Sequence, residues 1–572
     1  MIKETQIKRE ISSLERRFKV GDISSGYKLY DLYQTGIYEK NPEGQVICLL
    51  EKNPRVAQVY LNQCEVLLRS EDEQEKSRLH VTRLILSDFR KFKTLKVKLD
   101  ENLTVIIGDN GSGKTTIIDG ITKALSWLSA SIIKKNGVGR RVTDYDVNIN
   151  SLSFSEVTLQ ASLNKNTKYS VSLYKTAKGA KDSDTKNSKL EAFDELGSLY
   201  RTVDNHRRSI GESEINLPLI VSYSVNRTNI KSNKTFDLEK ISSVEIGSKY
   251  DVYENKSIDG TGNFDEFSEW FLALYNKSGG DLEIRLDNSM KRLGALVSAG
   301  ADQESSEIFD IYQNAKNELD SLQKDYSNRR QYIKSLQTVK KAIISTVPGF
   351  SDIFIDKSSG RAELKVNVDG REINIFQSSQ GQHVFMSMIA DISKKLVTLN
   401  PKMDNPLHGQ GIVLIDEIEL HLHPKWQQNI VGSLTSTFPN IQFIVTTHSP
   451  QVLSTVDKSC IRYFIYDERG DVHCTSPRFQ TKGVRSADIL AEIMGTSSIP
   501  NVEEAHDVDL FSELLLTGNK SEAISLLNNK LKKHFGTDHP VILDCQNKIS
   551  VFEMKERINL RKKADSKNEK SE

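Results

Sequence analysis

The run Gly108-Asp-Asn-Gly-Ser-Gly-Lys-Thr-Thr116 constrains this chain more than any other stretch. It follows the apolar segment Leu103-Thr-Val-Ile-Ile107, which predicts a buried strand, and it opens the helical pattern Ile117 to Leu128. A strand, a glycine-rich turn and a helix start together present unpaired backbone N–H groups and the positive end of a helix dipole to an anion. The sequence therefore predicts a phosphate cradle made by Gly108, Asn110, Gly111, Ser112, Gly113 and Thr116. Lys114 is expected to reach the β- and γ-phosphates of a nucleotide as a catalytic cation, and Thr115 to hold Mg²⁺ through its hydroxyl.

Two later strands supply the matching chemistry. Ile412-Val-Leu-Ile415 runs straight into Asp416-Glu417, and two carboxylates at the end of a buried strand are costly unless they serve a metal and a water. Asp416 is expected at Mg²⁺, and Glu417 is expected to orient or deprotonate the attacking water. Ile441-Gln-Phe-Ile-Val-Thr446 ends at Thr447-His448-Ser449-Pro450, which places the His448 imidazole where it can bond a γ-phosphate or that water.

These segments, in this order, resemble the nucleotide site of ABC-type ATPases. Ser378-Ser379-Gln380-Gly381-Gln382, before the helical pattern Val384 to Leu396, resembles the ABC signature, with Ser378 in place of its leading Leu and Gln380 in place of its first Gly. Ser379, Gly381 and Gln382 are then expected to approach nucleotide bound by another subunit, again as anion binding at a helix start; a plain helix cap is the competing reading. A signature acting in trans requires an ATP-bridged homodimer or a higher oligomer. Glu419-Leu-His421-Leu-His423-Pro424 falls where ABC heads place the loop that crosses the dimer interface. Without a nearby Cys or a third His, its histidines are read as interface residues rather than metal ligands.

Composition excludes several classes. The net charge of +1 rules out nucleic-acid binding by bulk charge, so any DNA contact needs a local patch. Five scattered cysteines read as reduced thiols, and no apolar stretch is long enough for a membrane span, so a soluble, cytoplasmic protein without membrane contact is expected. The Lys- and Ser-rich stretch from Lys175 to Lys189 reads as a loop.

The expected fold is α/β: an ABC-type, SMC- and RecF-like head with a mixed sheet, a short helical arm and helical additions at both ends. The expected division is a helical, repeat-like module over 1–78, a phosphate-loop lobe with antiparallel strands over 79–263, and an arm over 264–348. A second lobe with signature, acidic strand and switch histidine follows over 349–500, then a helical region over 501–560 and a disordered tail over 561–572. The arm is far too short for a chromosome-spanning coiled coil. Its basic cluster, Arg329, Arg330, Lys334, Lys340 and Lys341, reads either as a DNA or partner surface or as a solvated helix face. Phe89-Arg90-Lys91-Phe92 resembles the aromatic and basic turn of RecF- and SMC-like heads, with Arg90 the expected phosphate or base contact. The strand Leu217 to Tyr223 leads to Asn226-Arg227 and should end near the nucleotide, although no Q-loop glutamine can be placed.

OLD-family proteins share such a head but add a metal-binding nuclease; Asp467 and Asp471 do not make its ligand set, so no nuclease is assigned to this chain. With its short arm, Glu-Leu-His-Leu-His-Pro loop and helical ends, the chain resembles the PtuA family, the ATPases of Septu and retron-linked anti-phage systems. That resemblance implies an HNH endonuclease partner of the PtuB kind and, in retron systems, a reverse transcriptase with its multicopy single-stranded DNA (msDNA). The alternative is a RecF-like repair ATPase acting as an ATP-gated DNA clamp. A degenerate head that binds ATP as a scaffold is a third reading.

Overall fold

Burial along the strands separates two kinds of sheet. In the computed structural model, β3 (His80–Phe89), β4 (Phe92–Lys98), β6 (Phe154–Ser162) and β7 (Lys168–Thr176) mix buried with partly exposed positions, whereas β5 (Leu103–Ile107), β8 (Leu219–Tyr223), β12 (Gly411–Ile415) and β13 (Ile441–Thr447) are buried throughout. The first set pairs antiparallel in the order β4-β3-β6-β7. The second forms the parallel core of a six-stranded sheet, as strands covered on both faces do. Its order is β15-β14-β5-β13-β12-β8, with β14 (Ile461–Tyr466) parallel to β5 and β15 (Val472–Thr475) antiparallel at the edge. Gln442, fully buried on β13, joins the two sheets by bonding Val81 N at 2.8 Å, Val81 O at 2.8 Å and Asp100 O at 2.6 Å.

The structure describes residues 2–40, 45–69, 77–180, 186–228, 247–254, 258–260, 264–358, 362–467, 472–496 and 500–568. Part of the stretch read as a polar loop (181–185) and Asp471 lie outside them. Within that stretch, β7 runs on to Thr176 and Lys189 bonds back to Ser172.

Two compact units emerge, Met1–Ser486 and Ala487–Glu572. In the first, helices Ile2–Lys19, Ile23–Thr35 and Pro54–Arg69 form the N-terminal addition. The sequence suggests helix up to Tyr38; instead Gly36 (φ +70°) ends the second helix, and β1 (Ile37–Lys40) pairs with β2 (Val46–Leu50) as a hairpin. The addition docks on the antiparallel lobe, where Ile23 N donates to Thr167 Oγ1 at 2.9 Å.

The arm comprises helices Phe264–Lys277, Leu282–Ser298 and Phe309–Thr346, with Leu282, Leu322 and Ile333 packed between the last two. Its basic cluster is engaged within the chain at three positions: Lys340 pairs with Asp352 at 3.0 Å, Lys334 with Asp404 at 3.6 Å, and Arg329 donates to Lys277 O at 3.1 Å. Strands β9 (Phe350–Asp356), β10 (Glu363–Val368) and β11 (Arg371–Asn374) make a small antiparallel sheet that leads into the helix Gln380–Leu399.

The second unit begins at Ala487 rather than at 501. Its helices Glu503–Leu516, Lys520–Leu526 and Pro540–Asn568 enclose Phe511, Leu515, Leu527, Leu531 and Ile542. The last helix carries through to Asn568, so the segment expected to be a disordered tail is helical over 561–568. Among the described residues, no helix is long and apolar enough to cross a membrane.

Candidate nucleotide site

The registers Thr447↔Ile107, Ile415↔Val445 and Ile415↔Tyr223 bring the carboxyl ends of β5, β13, β12 and β8 to one edge of the parallel sheet. Ligands of α/β sheets bind beyond this edge. The turn after β5 bends through Gly111 (φ +75°) and Gly113 (φ +105°) into the helix Lys114–Ile133. A Cβ on Gly113 would meet the Phe92 ring at 2.3 Å, so only glycine lets β4 close over the turn. Lys114 is buried and its Nζ donates to Gly108 O at 2.8 Å and Asp109 O at 3.0 Å, lying across the loop that it serves. Burial pulls its pKa down while the carboxylates of Asp416, Glu417, Glu419 and Asp109 oppose that shift. The Ser112 hydroxyl is buried without a hydrogen-bond partner among the described residues. An orphaned donor inside an anion cradle fits a phosphate oxygen. Asn110 is exposed on the loop and Thr116 is buried on the helix.

Thr115 and Asp416 meet directly: Thr115 Oγ1 donates to Asp416 Oδ2 at 2.8 Å, across 301 residues of sequence. Two oxygen ligands held together at the end of a phosphate loop are the donor set that Mg²⁺ takes. The Asp416 side chain is fixed from behind by Thr446 Oγ1 on Oδ1 at 2.5 Å, and Asp416 N donates to Tyr223 O at 2.8 Å. Glu417 follows at φ +49°, with its N–H on Thr446 Oγ1 at 2.8 Å. His448 stands at the end of neighbouring β13; its backbone N–H, like the Thr447 hydroxyl at 2.8 Å, is held by the Glu419 carboxylate. The Glu419–Pro424 loop is thus anchored to the end of β13 through Glu419, and His423 caps the short helix that follows by accepting from Lys425 N at 3.3 Å.

Ser379 caps the helix Gln380–Leu399 in a reciprocal box with Gln382: Gln382 N donates to Ser379 Oγ at 3.3 Å and Ser379 N to Gln382 Oε1 at 3.1 Å. Ser379 is exposed, while Gly381 is buried, and a Cβ there would meet His421 O at 2.4 Å. The signature-like helix start is therefore pressed onto the crossing loop of its own chain. Farther along this helix, Asp391 Oδ2 accepts from the Tyr223 hydroxyl at 2.7 Å.

One assignment moves, and one contact is new. Arg90 is taken up by Asp146 at 3.0 Å and by Asp119, and it is Lys91 that reaches the phosphate loop, donating to Gly111 O at 2.6 Å. Arg227 donates to the carbonyls of Asp416 and Glu417, a contact no sequence motif announces. Its only sequence signal is its place just beyond an apolar strand.

His383, next to Gln382, is 3% exposed, against Phe264 and Phe376, and both its ring nitrogens lack a hydrogen-bond partner among the described residues. Burial lowers its pKa from 6.5 to about 4, with Asp265 acting in the opposite sense. The folded chain thus takes up this proton later than the unfolded chain, so the stability it lends is full above the unfolded value and falls away as pH drops from 6.5 towards 4. At pH 5 the loss is about 2 kcal/mol, and His383→Met should remove that component from urea midpoints compared at pH 7 and pH 5.

Over residues 80–453 the chain matches the family AAA_15, described as an AAA ATPase domain. It is 31% identical to the retron Vc95 probable ATPase of Vibrio cholerae serotype O1 biovar El Tor, over 88% of this chain and 92% of that one. It is 29% identical to the retron Ec83 probable ATPase of Escherichia coli, over 96% of this chain and 97% of that one. The Septu protein PtuA of Bacillus thuringiensis is 22% identical over 70% of this chain and 81% of its own length. A crystal structure of the Smc head bound to the C-winged helix domain of ScpA aligns with 70% of this chain and 97% of that one, at 15% identity and a TM-score of 0.36. The chain belongs to the AAA ATPase domain family and is an ATPase of the retron type.

Proposed function

We propose that two copies of this chain close head to head over ATP, and that hydrolysis at the shared pockets controls an associated nuclease. The observation that carries the nucleotide pocket of this reading is the direct Thr115–Asp416 contact, between the chain neighbours of Lys114 and Glu417, at the carboxyl edge of the parallel sheet. Lys114 and the cradle of Gly108, Asn110, Gly111, Ser112, Gly113 and Thr116 bind the phosphates, and Thr115 with Asp416 holds the metal. Mg²⁺, when bound, supplies positive charge to the phosphate oxygens. Glu417 orients the attacking water and accepts its proton, while His448 donates a hydrogen bond towards the γ-phosphate. The exposed Ser379, with Gly381 and Gln382, completes the pocket of the partner copy, consistent with a helix start packed on the crossing loop.

Kinship with retron ATPases and Septu protein PtuA supports a defence role. The partner of choice is a PtuB-like HNH endonuclease, joined in a retron setting by a reverse transcriptase and its msDNA. Co-expression with the HNH subunit, followed by mass measurement with and without ATP, tests this. ATP should double the mass of the head assembly and alter nuclease activity; a mass and a nuclease activity both indifferent to ATP would refute the switch.

A further inference from the structure

Arg227 lies in the 3₁₀ turn Val225–Thr228 directly after β8 and is 5% exposed. Its guanidinium donates to three main-chain carbonyls: Ser224 O at 3.1 Å, Asp416 O, and Glu417 O at 2.6 Å. Burying a cation is costly unless its donors are taken up, and here three main-chain carbonyls take them. The guanidinium is a planar, permanently charged fork, suited to holding two carbonyls at once.

The two distant carbonyls are not equivalent to any other pair. The Asp416 carbonyl belongs to the peptide plane before the Glu417 Cα, and the Glu417 carbonyl to the plane after it. Glu417 sits at φ +49°, a conformation that a non-glycine residue holds at a cost of about 1–3 kcal/mol. The same two planes are gripped on their N–H sides by Thr446, whose Oγ1 takes Glu417 N at 2.8 Å and whose carbonyl takes Ile418 N at 3.0 Å. With both planes fixed, the direction of the Glu417 side chain from its Cα is fixed as well. We infer that Arg227 is a positioning residue for hydrolysis: its fork spans both peptide planes around Glu417 and so aims that carboxylate at the attacking water. This rests on the role proposed for Glu417. A lysine ammonium, a point donor, cannot lie across both planes as a planar fork does.

The test compares Arg227→Met, Arg227→Lys, Glu417→Gln and the Arg227→Met/Glu417→Gln double variant in the full chain. The readouts are kcat, KM and the affinity for a fluorescent ATP analogue. Arg227→Met should lower kcat by about 10- to 100-fold, as loss of a supporting partner does. KM and analogue affinity should stay within about two-fold, because the phosphate cradle is untouched. Arg227→Lys should recover part of the turnover. In the double variant, Arg227→Met should lower the residual rate of Glu417→Gln by less than about two-fold, since both act through one carboxylate.

Wild-type turnover in Arg227→Met beside an inactive Glu417→Gln would overturn the inference while leaving the proposed function standing. Equal losses of affinity and kcat, or full additivity in the double variant, would also overturn it by marking a purely structural role. Should Glu417→Gln turn over normally, the reading of Glu417 itself falls. If Arg227→Met fails to fold, Arg227→Lys carries the test: a reduced kcat at unchanged KM supports the inference and an unchanged kcat overturns it.

Discussion

Glu417→Gln is expected to lower kcat by about 10²- to 10⁴-fold, the usual consequence of losing a general base, and to leave nucleotide affinity nearly unchanged. The substitution keeps the shape of the side chain. The main-chain bonds that hold the turn, Glu417 N to Thr446 Oγ1 and Glu417 O from Arg227, do not involve the carboxylate. What disappears is the negative charge that orients water and takes its proton. Filled pockets should then persist, and light scattering with ATP should find a dimer that outlives the wild-type one. A variant that hydrolyses at the wild-type rate, or that never dimerises in ATP, would remove Glu417 from the mechanism.

The second large effect separates pockets within one chain from pockets shared by two. Lys114→Ala removes the buried cation at the phosphate loop and should lower turnover by at least about 10²-fold. Ser379→Arg places a bulky cation at an exposed helix start and should be equally inactive if that start meets a neighbour's nucleotide. Random mixing of the two variants makes half of the dimers mixed, each with one undamaged pocket, so about a quarter of wild-type turnover should return. Two pockets complete within single chains give no recovery, and neither does a Ser379 that acts only as a helix cap. A Ser379→Arg variant with normal turnover would exclude the serine from the pocket altogether.

The parts that could be read from sequence share one property: each is a strand, a turn and a helix start contiguous in the chain. The 103–133 and 412–417 segments announce themselves by apolar runs that end in glycine or carboxylate. The arm is legible for a different reason: apolar positions recur at helical spacing within each of its three helices. The hairpin of β1 and β2 stayed hidden because apolar residues continue at helical spacing up to Tyr38, and only the backbone at Gly36 breaks the helix. Arg90 and Lys91 are neighbours of equal charge; which one reaches the loop depends on Asp119 and Asp146, 29 and 56 residues away. The place of Arg227 near the site was legible from its strand, but its contact was not: two of its partners are main-chain carbonyls 189 and 190 positions distant, and main-chain atoms leave no trace in a sequence. The basic cluster on the arm is one reading that the internal ion pairs of Lys334 and Lys340 weaken as a binding surface.

Tyr223 joins two parts of the head, the acidic strand and the helix that starts at the signature-like turn. Its carbonyl holds Asp416 N at 2.8 Å, and its hydroxyl holds Asp391 at 2.7 Å on the helix that begins at the signature-like turn. That helix cannot slide or roll without either dragging the end of β8 or surrendering a half-buried hydrogen bond. A push delivered to the helix therefore has a direct path to the acidic strand through this tyrosine, besides the path through the loop packed on Gly381.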